Sequence, residues 1–152
     1  RLRHLVKAHG IEPDELDGRL FLLKPCQGFS FRSPDMVLDL LRKVEQIGPD
    51  LIVMDSVTAL AGIENENDAT AVRRFFHDHL YPLRAVGGAS ILLIHHANKG
   101  IWKADGEAPR GTGIIRGSAD YAAAADAGLL LLPGIDGGAA RLRVDARHGR
   151  GV

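Results

Sequence analysis

Apolar residues fall along the chain in two alternating patterns, stripes at helical spacing and short unbroken runs. Leu2, Leu5 and Val6 share one helical face, and Gly10 suits the left-handed position that ends a helix, so a short opening helix is expected. Leu20-Phe21-Leu22-Leu23, closed by Pro25, reads as a short buried strand. Ser33-Pro34-Asp35 supplies an N-cap, a proline at the first helical position and an acidic first turn. The amphipathic segment it opens carries Met36, Val37, Leu40, Leu41 and Val44 and should end before Gly48-Pro49. Leu51-Ile52-Val53-Met54-Asp55 is apolar on both faces until an acid ends it, the pattern of a central parallel strand covered by helices on both sides.

Asp68-Ala69-Thr70 starts another helix, with Val72, Phe75, Phe76 and Leu80 forming one buried stripe that stops at Gly87-Gly88. Ser90-Ile91-Leu92-Leu93-Ile94 repeats the buried-strand pattern and runs into His95-His96. This order of strand, helix, strand, helix, strand predicts a right-handed doubly wound sheet. Residues 97 to 117 break the rhythm with glycines, a proline and scattered positive charge, and a long loop of that kind inside a compact domain is functional or disordered. The alanine-rich stretch Ser118 to Ala127 reads as a short helix. Gly128 to Leu132 and Ala140 to Val144 then flank the turn Pro133 to Gly138 as a terminal hairpin.

Composition adds constraints. The 152 residues are 45% hydrophobic and 25% charged, which suits one domain, residues 1–152, with enough apolar content for a real core. Lys plus Arg and Asp plus Glu both number 19, so no global field draws the chain onto nucleic acid or membrane, and any nucleic-acid binding must be local. The single cysteine, Cys26, cannot form an intramolecular disulfide, which fits a reducing, cytoplasmic setting. No apolar run approaches the roughly 20 residues of a membrane span, and the start lacks the apolar core of a signal peptide. The chain begins without Met on what reads as a helix already under way, which suggests that sequence precedes it.

In open parallel α/β sheets ligands bind outside the carboxyl ends of the strands. Two polar signals fall at that edge, Asp55-Ser56 after one strand and His95-His96 after the next. An acid there can hold Mg²⁺, usually through water, beside nucleotide phosphates, and His95 or His96 can sense the γ-phosphate. Taken alone, Asp55 serves equally well to cap the loop that follows it.

Three blocks in series extend this reading. They are Leu51 to Asp55 with Ser56-Val57-Thr58-Ala59-Leu60, Ile91-Leu92-Leu93-Ile94-His95-His96-Ala97-Asn98-Lys99-Gly100, and Arg116-Gly117-Ser118-Ala119-Asp120. Together they resemble the RecA-like ATPases of the AAA group, especially the plasmid RepA-type and DnaB-like hexameric replicative helicases. The resemblance covers nearly the whole chain and implies a RecA-like, mostly parallel doubly wound sheet with flanking helices, a C-terminal hairpin and an incomplete N-terminal side.

It further implies ATP as substrate and Mg²⁺ as cofactor, with Asp55 as the Walker B acid, Ser56 beside it in the nucleotide site, and His95-His96 in the sensor segment. The stretch from Lys99 to Arg116, with Lys103 and Arg110, corresponds to the family's loop that touches single-stranded DNA in the central channel of a hexameric ring. Trp102 either stacks on a base or anchors that loop to the body. Near the C-terminus, Arg147 and then Arg150 are candidates for an arginine finger reaching a neighbouring subunit's γ-phosphate, although the chain has no Arg soon after the Arg116-Gly117-Ser118 block, where the family carries one.

No Gly-x-x-x-x-Gly-Lys-Ser/Thr occurs, so the nest that cradles β- and γ-phosphates is not in these residues, and the chain alone is expected to hydrolyse ATP negligibly. Glu64 and Glu66 do not match the family's catalytic glutamate. Two other readings stand beside the helicase: a non-catalytic RecA-like module that keeps oligomer or DNA contacts, and a metal-dependent hydrolase liganding through Asp55, His95 and His96.

Overall fold

The structure is a computed structural model that describes residues 2–23, 28–97, 116–132 and 138–146. Its elements run α1 (Leu2–Ala8), a 3₁₀ turn (Pro13–Leu16), α2 (Pro34–Ile47), β1 (Leu51–Asp55), α3 (Val57–Ala61), α4 (Ala69–Phe75), α5 (Tyr81–Gly87), β2 (Ser90–Ile94), α6 (Asp120–Ala124), β3 (Ala127–Leu132) and β4 (Arg141–Ala146). It is a mixed α/β arrangement with a small parallel sheet and flanking helices, compatible with an AAA-type domain.

Helix ends follow the local chemistry. Ser33 precedes Pro34 at the start of α2, and Gly48 at φ 58° closes it in the left-handed region that only glycine enters without strain. Asp68 caps α4, its Oδ1 accepting from the Thr70 and Ala71 amides at 2.9 and 3.1 Å. Between α4 and α5 the helix does not stop but widens into a π turn, Phe76–Leu80. The cause is Pro82, which has no N–H to give to the carbonyl four residues back, so the ladder opens just ahead of it. The extra residue turns both Phe75 and Phe76 inward, at 3% and 6% exposure. They join Val72 and Leu80 in the expected buried stripe, and Leu83 extends it.

The core lies on one side of β1 and β2. The strands pair in parallel with Leu51 opposite Ser90, Val53 opposite Leu92 and Asp55 opposite Ile94. Met54 is buried, and Ile52, Ile91 and Leu93 pack on the cluster formed by α2, α3 and the α4–α5 rod. α2 packs on α5, where Gly87 lets the helices meet: a Cβ there would fall 2.7 Å from Cγ1 of Val44.

Two expectations are corrected. Leu20 to Leu23 form no strand and stand 43% to 63% exposed, with no strand paired to them among the described residues. β1 is covered on one face only: Leu51 and Val53, with Leu92 and Ile94 of β2, form an outward apolar face with nothing packed on it among the described residues. The described strands form two separate two-stranded sheets, β1-β2 and β3-β4, rather than one continuous sheet. The terminal hairpin is present, with β3 and β4 antiparallel and Leu129 opposite Val144, while its turn residues 133–137 lie outside the described residues.

Candidate functional site

Strand pairing sets the geometry of the site. Asp55 and Ile94 are register partners at the carboxyl ends of two adjacent parallel strands, so the acid stands beside the step into His95-His96. Asp55 is exposed, and its alternation puts it on the same outward face as Leu51 and Val53. The Asp55–Ser56 peptide is cis, and Ser56 occupies the N-cap of α3 without its side chain closing a capping bond.

The two histidines separate. His95 turns toward the core, its ring meeting that of Tyr121 edge to face at 4.7 Å. Its Nδ1 donates to the His96 carbonyl at 3.0 Å, since a carbonyl only accepts. Its Nε2 is therefore an acceptor in the neutral ring, buried without a hydrogen-bond partner, as is the Tyr121 hydroxyl. Burial pushes the Tyr121 phenol above its ordinary value, and the nearby Glu66 carboxylate adds to the shift. His96 is exposed, as Asp55 is.

The Arg116-Gly117-Ser118 block closes against the same region. The Arg116 amide donates to the His96 carbonyl at 3.2 Å, and the Ser118 amide donates to the Glu66 carbonyl at 2.7 Å. The Arg116 side chain forms an ion pair with Glu66, Nε to Oε2 at 3.1 Å. Ser118 Oγ donates to Asp120 Oδ2 at 2.8 Å, and the other Asp120 oxygen meets Arg73 of α4 at 3.2 Å. The block thus ties the His95-His96 end of β2 to the α3–α4 loop. Glu66 is the residue that sequence reasoning missed, because its partner lies 50 positions away and no local pattern marks the pair.

Among the candidate residues, Asp55, Ser56, His95, His96 and Arg116 gather around the ends of β1 and β2 and the segment that closes on them. Lys99, Trp102, Lys103, Arg110, Arg147 and Arg150 lie outside the described residues. Among the described residues no three of His, Cys, Asp and Glu come together as a metal-ligand set, so Asp55, His95 and His96 do not build the centre of a metal-dependent hydrolase. A single exposed carboxylate does suit Mg²⁺, which keeps several of its waters.

An open cleft of about 380 Å³ is lined by Arg32, Gly62, Glu64, Arg74, Phe75 and His79 among others and shares no lining residue with the strand-end site. Arg32 is held there by Glu64 at 3.1 Å. Burial lowers the His79 pKa, with Asp78 opposing the shift.

The family model of the AAA domain matches residues 1–101, and the chain belongs to that family. Membership carries an ATPase-type, nucleotide-binding function, with ATP and Mg²⁺ used in general. No curated protein and no solved structure matches the chain. Among the described residues no helix is long and apolar enough to cross a membrane.

Proposed function

We propose that this chain contributes to the ATP-hydrolysing core of a RecA-like DNA helicase that acts in replication and assembles as a homo-oligomeric, hexameric ring around single-stranded DNA. The observation that carries the reading is the pairing of Asp55 with Ile94, which sets an exposed acid at the carboxyl edge of a parallel sheet, next to the strand end that leads into the exposed His96. Asp55 would hold Mg²⁺, Ser56 would lie next to it in the nucleotide site, and the exposed His96 would sense the γ-phosphate. His95, packed on Tyr121, positions that segment. The cations Lys99, Lys103, Arg110 and Arg116, with Trp102, face the DNA, and Arg147 or Arg150 reaches the neighbouring subunit's nucleotide. Mg²⁺ held at Asp55 would supply positive charge against the transferred phosphoryl group.

The test is ATP turnover by the protein expressed from its full genomic reading frame, with and without single-stranded DNA. Mg²⁺-dependent, DNA-stimulated hydrolysis that disappears in Asp55→Ala is expected. Turnover unchanged in that variant removes Asp55 from the site.

A second reading, a non-catalytic RecA-like module that keeps DNA or subunit contacts, is favoured by the lack of any Gly-x-x-x-x-Gly-Lys-Ser/Thr in these residues. DNA binding without ATP turnover by the same protein would select it.

A further inference from the structure

Arg116 is already engaged in the free protein. Its guanidinium is 58% exposed yet paired at 3.1 Å with Glu66, whose own side chain is only 19% exposed. The pair does not hold the two segments together by itself. Main-chain bonds do that: Ser118 N–H to the Glu66 carbonyl at 2.7 Å and Arg116 N–H to the His96 carbonyl at 3.2 Å. Gly117 allows the approach, since any Cβ there would collide with the Glu66 main chain. The side-chain pair can therefore open while the backbone stays in place, leaving an arginine fixed in position with an exchangeable partner.

An ion pair with an exposed guanidinium is weak, and a tetrahedral phosphate offers an arginine two anionic oxygens, as a carboxylate does. We propose that Glu66 is an internal competitor for nucleic-acid phosphate at Arg116: the carboxylate occupies the guanidinium in the free protein, and a phosphate of single-stranded DNA displaces it on binding. The proposal rests on the reading of Arg116 as a DNA contact given above. Its consequence is that binding at this position releases the Glu66 carboxylate next to Tyr121, beside the end of β2, so DNA engagement changes the charge facing the sensor segment.

The experiment measures binding of a fluorescein-labelled oligothymidylate to the 152-residue chain by fluorescence anisotropy across a salt series, for the wild type, Glu66→Gln, Arg116→Ala and the double variant. Arg116→Ala should weaken binding and flatten the salt slope by about 0.7, the share of one single-strand phosphate. Glu66→Gln should tighten binding by about two- to fivefold, the range set by an exposed pair, and the tightening should vanish in the Arg116→Ala background. Glu66→Asp keeps the net charge and the main-chain bond but shortens the reach to Arg116, so it should also tighten binding. That variant separates loss of the pair from loss of a negative charge.

If Arg116→Ala weakens binding while Glu66→Gln is neutral, or tightens equally without Arg116, the competition is refuted and the DNA reading of Arg116 stands. If the chain binds the oligonucleotide and Arg116→Ala leaves affinity and slope unaltered, Arg116 is no contact and the inference falls with it. Absence of any binding to the oligonucleotide overturns both the DNA reading and the inference.

Discussion

Gly117 and Glu66 touch so closely that a Cβ on the glycine would stand 2.7 Å from the Glu66 carbonyl oxygen. Gly117 also holds φ at +93°, a backbone region that side chains rarely enter. Both features act on one substitution. Gly117→Ala must relieve the overlap by moving main chain, which breaks or stretches the 2.7 Å bond from Ser118, and it adds backbone strain. A loss of about 2 kcal/mol or more is expected, read as a lower urea midpoint at unchanged slope. A midpoint equal to wild type would mean that the α3–α4 loop and the Arg116 segment do not meet as described.

His79 makes stability depend on pH. Its ring sits 5.0 Å from that of Phe31 and 5.8 Å from that of Phe75, with Nδ1 buried and unpartnered. Burial disfavours the charged form and lowers the pKa from 6.5, while Asp78 works against the shift. The unfolded chain then binds the proton more readily than the folded one. Stability from this residue is fully present above the unfolded pKa and is lost as pH falls through 6.5 toward the lowered folded value. His79→Leu should flatten the fall in urea midpoint between roughly pH 7 and pH 5. If variant and wild type lose stability in parallel over that interval, the titration belongs to another group.

Neither contact was legible in the sequence, whereas more local features were. Helix starts and stops were, because Ser33-Pro34, Asp68, Gly48 and Gly88 act through bonds and dihedrals within a few residues. The stripe Val72, Phe75, Phe76, Leu80 was legible too, although the π turn that admits adjacent phenylalanines was not inferred from Pro82. Strand placement was less so. An apolar run states that residues favour burial, not which partner is present, so Leu51 to Asp55 and Leu20 to Leu23 looked alike although only the first has a strand beside it. At the site, Asp55 and His95-His96 were readable because strand ends converge in parallel sheets. The split between an inward His95 and an outward His96 depends on Tyr121, and the Glu66–Arg116 pair on a contact across 50 residues.

The DNA reading can be examined through charges that lie outside the described residues. Replacing Lys99, Lys103 and Arg110 together with alanine should weaken binding to oligothymidylate. If each meets one phosphate, the salt slope should flatten by about 2. An unaltered slope would take Lys99, Lys103 and Arg110 out of the nucleic-acid surface and leave Arg116 to be judged by its own variant.

The outward faces of the strands give the last prediction. Leu131 and Leu142 are register partners on the hairpin, 68% and 61% exposed, whereas Leu83 is fully buried. Threonine keeps β-propensity while removing apolar surface, so Leu131→Thr and Leu142→Thr should each shift stability by no more than about 0.5 kcal/mol. Leu83→Ala, which leaves a cavity beneath α5, should cost about 2–5 kcal/mol. Contiguous exposed leucine on an open strand pair also promotes self-association, so the two threonine variants should scatter less light than wild type at equal concentration. A stability loss in Leu131→Thr comparable to that of Leu83→Ala would show that the hairpin face is covered in solution. Unchanged scattering would show that these leucines do not drive association.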